Sequence, residues 1–360
     1  MNKSYNSLGL MSGTSGDGVD ASVIQTDGKS QYNVLENQFF EYPDSTTAEI
    51  YNIKQEIIKP DDLLKNSKKI DLLSEKITNF HINAAKEIMK NFKIDLIGMH
   101  GQTIYHNPEN KISKQIGCGK SLSKFTNKTV IYNFRKNDLD NDGEGAPLAP
   151  IFHKLLVEHK KIKLPVTILN IGGISNITSL SDNLKMFSMD IGPGNCLIDK
   201  WIRLNSDKKY DHEGLIAKSG IINRAVLNNA LDEFYNSEIS KKKSYDTNDF
   251  NLSFAKGLTL ENGAATLTEF TADICSKKLT NNAIYVCGGG RKNTFLIESI
   301  EKKTHSKIEL IDTQDVDGDF IESQAFAYLA VRSYLELPIS FPETTGCKKP
   351  CTGGVIVKNF

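Results

Sequence analysis

Residues 8–26 read LGLMSGTSGDGVDASVIQT: two short apolar strands, 8–11 and 19–26, joined by a tip of small polar residues. Gly13, Gly16 and Gly18 keep side chains out of that tip, so backbone N–H groups can close on an anionic oxygen. Ser12, Thr14 and Ser15 add hydroxyl donors. Asp17 and Asp20 suit such a place only with a cation between them and the anion, or with a sugar hydroxyl to face. The stretch therefore reads as a β-hairpin whose tip holds a phosphate through Mg²⁺. An ordinary Gly-rich hairpin turn has the same composition. Neither GxxxxGK[ST] nor a GxGxxG leading into a helix is present here.

The pattern occurs twice. Residues 166–170 form a second predicted strand, 172–176 (GGISN) a turn, and 177–180 and 185–189 two further strands. In the first half a third strand, 32–42, completes the same set. Each set is followed by helices and more strands, which suggests two similar α/β domains facing a common cleft. A chain of 360 residues suffices for both. We place the domains at 1–134 and 135–360, with the tail packing back near the site. Lys+Arg and Asp+Glu both number 44, so charge favours neither nucleic acid nor an acidic membrane. No apolar run reaches the ~20 residues of a membrane span, and the N-terminus lacks an apolar leader. Six unpaired-looking cysteines fit a reducing, cytoplasmic setting. Cys347 and Cys351 have no second ligand pair nearby to make a metal site.

Between these landmarks, Thr46–Glu49 reads as a capping box, and 61–92 as a long helix broken near Ser67. Its buried stripe is Ile70, Leu73, Ile77, Phe80, Ala84 and Ile88. Strand 94–99 ends in His100-Gly101-Gln102-Thr103, where α/β sheets bind ligands. On the residues alone a hydrogen-bonded loop histidine is the better explanation of His100, and His100 with His106 lacks zinc spacing. Strand 129–133 leads through Arg135 to a helix over 147–158 begun by Pro147. Arg135 is suited to a carboxylate or phosphate, or to a domain surface. Asp190 follows the second set of strands, in MDIGPGN, as a general base or as the cap of a helix over 196–204. Residues 240–253, with Lys241, Lys242 and Lys243, read as a solvated linker. Helix 258–279 brings Gly263 close to a neighbour. Strand 283–287 runs into Gly288-Gly289-Gly290, which lets a ring or phosphate approach the backbone. Glu322 lies in the first turn of a helix over 319–336, where an acid also serves the helix dipole.

In order along the chain, MSGTSGDGVD, HGQT, NFRKND, GEGAPL, NIGGISNIT, DIGPGN, VCGGGRKN and ESQAFAYLA resemble the anhydro-N-acetylmuramic acid kinase family. The resemblance implies two ribonuclease-H-like domains of the sugar kinase/Hsp70/actin superfamily around a central cleft. It implies an ATP-dependent, Mg²⁺-using kinase of cell-wall recycling, with the small-molecule amino sugar 1,6-anhydro-N-acetylmuramic acid as acceptor. A homodimer in the cytoplasm is implied too. By position, Gly13, Thr14, Ser15, Gly16, Asp17, Gly18, Val19 and Asp20 meet the ATP phosphates, together with Gly172, Gly173 and Asn176. Gly288, Gly289, Gly290 and Asn293 form the adenosine loop. Asp17, His100, Gln102, Arg135 and Glu322 face the sugar, and Asp190 is the base. No residue is assigned as a standing protein ligand of a metal. The chain departs from the family at Gly16 (usually Leu), Cys118 (Asp), Glu144 (Gln), Ile191 (Thr) and Lys292 (His). A kinase for another sugar and a non-catalytic sugar sensor on the same fold are the rival readings.

Overall fold

The computed structural model describes residues 3–280 and 283–360. In chain order it has β1 (Tyr5–Ser12), β2 (Gly18–Thr26), β3 (Tyr32–Glu41), α1 (Asp44–Glu56), α2 (Pro60–Lys65), α3 (Ser67–Met89), β4 (Leu96–Asn107), β5 (Ile112–Ile116), α4 (Gly119–Thr126), β6 (Thr129–Tyr132), α5 (Lys136–Asp140) and α6 (Pro150–His159). Next come β7 (Val166–Ile171), β8 (Ile174–Leu180), β9 (Met186–Pro193), α7 (Cys196–Asn205), α8 (Leu215–Ser219), α9 (Arg224–Asn236), α10 (Leu260–Ser276), β10 (Ala283–Cys287), α11 (Thr294–Thr304) and β11 (Ile308–Leu310). The chain closes with α12 (Ile321–Tyr334), α13 (Pro342–Thr345) and β12 (Val355–Val357).

Two compact α/β units result. Unit 1 holds residues up to Ile162 together with Phe320–Phe360, and unit 2 holds Lys163–Asp319. The expected split at 134/135 is corrected by α6 and α12, which both belong to unit 1. Glycine on the sheet decides this for α12. A Cβ on Gly9 would run into the Ser323 carbonyl, and one on Gly98 into the Phe326 carbonyl. Backbone-to-backbone packing at that range needs glycine. Ser7 Oγ donates to the Ala327 carbonyl (2.8 Å), and Ser22 and Ser323 hydroxyls meet at 2.6 Å.

The unit 1 sheet has seven strands in the order β12-β6-β4-β1-β2-β3, with β5 paired to β4. Along β1 the faces alternate. Leu8 and Leu10 pack with Ile50, Ile53 and Ile77 of α1 and α3. Tyr5 and Met11 pack with Phe326 and Leu329 of α12. Covered on both faces, β1 is buried nearly throughout. The predicted α3 stripe is present: Ile70, Leu73, Ile77, Ala84 and Ile88 are buried, and Phe80 packs against them.

Unit 2 repeats the topology. Its sheet order is β11-β10-β7-β8-β9, with β7-β8-β9 antiparallel and β10 and β11 parallel additions, matching β6-β4-β1-β2-β3. Ile171, Ile191, Cys275, Val286 and Leu296 are among its sheet–helix core. As expected, Gly263 lets α10 close on a neighbour: a Cβ there would strike the Trp201 indole of α7. Among the described residues no helix is long and apolar enough to cross a membrane.

Several local expectations change. The first helix begins at Asp44 rather than with a Thr46 cap. Pro150, not Pro147, opens α6 at its first position. Strand β4 continues through His100–Thr103 to Asn107, because the short β5 gives its second half a partner. The break expected near Ser67 is present, at Asn66 between α2 and α3. The 240–253 stretch is not a solvated linker: Ser244, Tyr245, Phe250 and Leu252 are buried.

Candidate active site

The hairpin tip is held from behind by its carbonyls. Tyr51 Oη donates to the Ser15 carbonyl (2.5 Å), Lys54 Nζ to Thr14 (3.3 Å), Gln102 Nε2 to Gly13 (2.9 Å) and the Tyr42 amide to Asp17 (2.7 Å). In a trans peptide, C=O of one residue and N–H of the next point oppositely. The Thr14 and Ser15 amides therefore point away from these partners, as an anion cradle requires. Gly16 closes the turn through its N–H to the Gly13 carbonyl (3.1 Å). Its φ is +61°, and a Cβ would meet Ile50 Cγ2 at 3.0 Å, so this turn takes glycine where the family usually has leucine. Ser15 Oγ donates to Asp17 Oδ1 (2.6 Å). Asp17 is exposed, Asp20 and Thr14 are half-buried, and Val19 is in the core.

Gln102, expected to face a sugar, is fully buried and used by the fold. Its Oε1 accepts from Ser12 Oγ (2.7 Å), while Nε2 serves Gly13. It ties the hairpin to β4.

His100 is 4% exposed. Its Nδ1–H donates to the Gly101 carbonyl (2.8 Å), and Nε2 accepts from Arg135 Nη2 (2.9 Å) and Nε (3.3 Å). Burial, and then the Arg135 charge, hold the imidazole well below its ordinary range, so it is neutral. Arg135 Nη1 donates to the Gly145 carbonyl (2.8 Å). Asp138, which sequence reasoning passed over, organises this loop. Its Oδ2 accepts from Gly145 N–H (2.7 Å) and its Oδ1 from Thr345 Oγ1 (2.6 Å). The Glu144 amide donates to the Thr345 carbonyl (2.8 Å), so the tail does pack beside the Arg135 loop. Phe326 contacts His100 with ring centroids 4.6 Å apart. Glu322, four residues earlier on α12 and half-buried, shares that helix face.

In unit 2 the Gly172–Gly173 turn caps α7. The Asn195 amide donates to Gly172 (2.8 Å), and the Gly194 amide to Gly173 (2.9 Å). Asn176 lies in β8 rather than the turn. It sits opposite Asp190 in the β8–β9 register, so both side chains share a sheet face. Asp190 is 5% exposed. It is not the helix cap, since Asn195 holds that position. Its Oδ2 accepts from the Tyr245 amide (2.9 Å), and its own amide donates to the Lys243 carbonyl (3.3 Å). Burial, then the Asp190 charge, push the Tyr245 hydroxyl up to about 12. Ile191, where the family usually has threonine, points into the core, so no hydroxyl is missed beside the carboxylate.

Gly288 follows β10 at φ +78°, and its amide donates to the Gly318 carbonyl (3.0 Å). A Cβ on Gly290 would strike Ile171, whereas one on Gly289 meets nothing within 4 Å. Buried Arg291 braces this loop. It grips Asp312 bidentately (2.9 and 3.0 Å), Asp319 (2.5 Å) and the Gly288 carbonyl (3.3 Å). Burial opposes its charge, and the two aspartates outweigh that. Asn293, expected at the nucleotide, caps α11 through Oδ1 to Leu296 N–H (3.0 Å). Among the described residues no group of three His, Cys, Asp or Glu is placed to hold a metal.

A family model described as anhydro-N-acetylmuramic acid kinase matches residues 5–359. An anhydro-N-acetylmuramic acid kinase of Pelagibacter ubique is 51% identical, with 100% of each chain covered. That of Zymomonas mobilis is 36% identical, covering 97% of this chain and 98% of its own. Among solved structures, component A of the (R)-2-hydroxyglutaryl-CoA dehydratase of Acidaminococcus fermentans is 12% identical. It has a TM-score of 0.45 and covers 92% of this chain and 99% of its own. A ROK family glucokinase from Streptomyces griseus is 12% identical, with a TM-score of 0.40, covering 90% and 99%.

Proposed function

The chain belongs to the anhydro-N-acetylmuramic acid kinase family, and on that premise we propose that it hydrolyses and phosphorylates 1,6-anhydro-N-acetylmuramic acid in one event. Asp190 takes a proton from water as the water oxygen bonds to the anomeric carbon. The bond from that carbon to O6 breaks, O6 bonds to the γ-phosphorus of ATP, and ADP leaves. The product is N-acetylmuramic acid 6-phosphate, which returns cell-wall sugar to metabolism. The observation that carries the role of Asp190 is its position. It is buried within β9, which continues past it to Pro193; it leaves the helix cap to Asn195 and has one oxygen fixed by a backbone N–H.

Other roles follow from the same geometry. The Thr14 and Ser15 amides take the transferring phosphates, and Gly172 and Gly173 the others. Gly288–Gly290 admit the adenosine where Gly289 is open. Neutral His100, with Arg135 behind it and Glu322 nearby, faces the sugar and orients it. The donor set fits a Mg²⁺ carried mainly by phosphate oxygens and waters, with Asp17 and Asp20 the carboxylates near enough in the chain to join it. When bound, the ion neutralises charge on the transferred phosphoryl group. On the family likeness alone, the enzyme is a cytoplasmic homodimer, which light scattering checks.

The test is mass spectrometry of the product from the anhydro sugar and ATP in ¹⁸O-labelled water. Gain of phosphate and of labelled oxygen at the anomeric carbon is expected. Phosphate without label means that Asp190 deprotonates a hydroxyl directly. Asp190→Asn lowers turnover on the order of 10²–10⁴-fold, and unchanged turnover rejects the base.

A further inference from the structure

We infer that the segment from Lys242 to Phe250 is a positioning device for Asp190, acting through the backbone amide of Tyr245. The inference rests on Asp190 being the base. Strand β9 is the edge of its sheet, so its outer backbone groups lie open to a further partner. Residues 243–245 take that place where the carboxylate emerges. The Lys243 carbonyl accepts from Asp190 N–H, and Tyr245 N–H donates to Asp190 Oδ2 (3.3 and 2.9 Å). One contact fixes the backbone and the other the carboxylate plane.

The segment is anchored rather than draped. The Tyr245 ring packs on Phe250 (5.1 Å), and Phe250 on Phe234 of α9 (6.1 Å). Asp249 draws the segment into a closed loop: Oδ1 accepts from Lys242 Nζ (2.6 Å) and Oδ2 from the Asp246 amide (2.8 Å). A donated N–H favours the ionised carboxylate, so its loss shifts the base toward its protonated, inactive form. The other groups around this place include Lys242, Lys243, Asp246, Asp249, the Tyr245 hydroxyl, Tyr235 from α9 and, from α10, Cys275. Burial pushes the Cys275 thiol up to about 12, so with Tyr245 it stays neutral through the assay range.

Three variants test this, with kcat for the anhydro sugar and ATP followed against pH. Tyr245→Pro deletes the N–H. The pH at which kcat falls to half on the acid side rises by about one pH unit over wild type. Asp249→Ala loosens the loop without touching Asp190 and raises that midpoint by about half a pH unit. Tyr245→Phe keeps the N–H and returns the wild-type midpoint. A melting curve identifies any variant that does not fold, and Asp249→Ala then decides alone. A wild-type acid-side midpoint in every folded loop variant overturns the inference while leaving Asp190 as base. Full turnover in Asp190→Asn overturns the base itself.

Discussion

Replacing Gln102 with leucine separates a support of the hairpin from a sugar contact. The volume is nearly kept, so no cavity term enters. Three hydrogen bonds are lost, the longest being Nε2 to the Thr103 carbonyl at 3.2 Å. Ser12 Oγ loses Gln102 Oε1 at 2.7 Å but has the Gly18 carbonyl at 2.9 Å to turn to. The Gly13 carbonyl loses Nε2 but keeps the Gly16 amide at 3.1 Å. With both partners retaining an alternative, the cost lies near the lower end for buried polar groups, about 1–2 kcal/mol. For a unit of this size, that lowers Tm by about 2–8 °C. The freed Gly13 peptide also loosens the Thr14 and Ser15 amides. KM for ATP therefore rises several-fold, while KM for the anhydro sugar stays within about twofold. Differential scanning calorimetry and two-substrate kinetics check this. An unchanged Tm together with a raised KM for the sugar alone refutes the support role and restores Gln102 as a sugar contact.

Gly289→Ala leaves the unfolding free energy within about 0.5 kcal/mol of wild type, since its Cβ meets nothing, yet raises KM for ATP because the methyl stands where the ring would lie. Gly290→Ala, which drives a methyl into Ile171, lowers Tm as well. Arg291→Lys loses the bidentate grip on Asp312, costing about 1.5–3 kcal/mol, and raises KM for ATP but not for the sugar. Acid stability follows from the buried imidazoles. Burial lowers His81 and His153 from 6.5 to about 4, and lowers His100 in the same direction. The unfolded chain binds these protons first, so Tm is flat above pH 6.5, falls as pH drops toward 4, and the slope lessens in His153→Leu.

The Gly-rich hairpin, the repeat and the GGG turn were legible because each is written in neighbouring residues. Glycines at 13, 16 and 18, or at 288–290, restrict the backbone wherever the chain goes. The misread features depend on partners distant in sequence. Strand β4 outruns its apolar stretch because β5, only five residues long, pairs with its second half. Helix α12 belongs to unit 1 because Gly9 and Gly98 lie beneath it, more than 220 residues earlier in the chain by subtraction from Ser323 and Phe326. Three lysines made 240–253 look solvated, although Tyr245 and Phe250 among them were the signal of an anchored loop. Gln102 and Asn293 were assigned to ligands by family position; in the structure Gln102 bonds Ser12 and Gly13, 90 and 89 residues earlier, while Asn293 caps its own helix.

The two repeats share a topology and assign its parts differently, and the difference is set by what braces each hairpin. In unit 1 side chains from outside the turn, Tyr51, Lys54 and Gln102, take the tip carbonyls, which turns the amides outward. In unit 2 the Gly172 and Gly173 carbonyls are taken by amides at the start of α7. That arrangement requires the chain to leave β9 and enter α7 directly beside the turn, through Gly192, Pro193 and Gly194, where a Cβ on Gly194 would hit the Gly172 carbonyl. The carboxylate two residues before Gly192 is thereby fixed relative to the second hairpin by the backbone alone. Unit 1 makes a different coupling: β3 ends at Glu41, the Tyr42 amide donates to the Asp17 carbonyl of the tip (2.7 Å), and Pro43 then leads into α1. Unit 1 thus ties its third strand to the hairpin through the Tyr42 amide, whereas unit 2 does so through the Gly194, Asn195 and Cys196 amides, directly after the strand that carries Asp190.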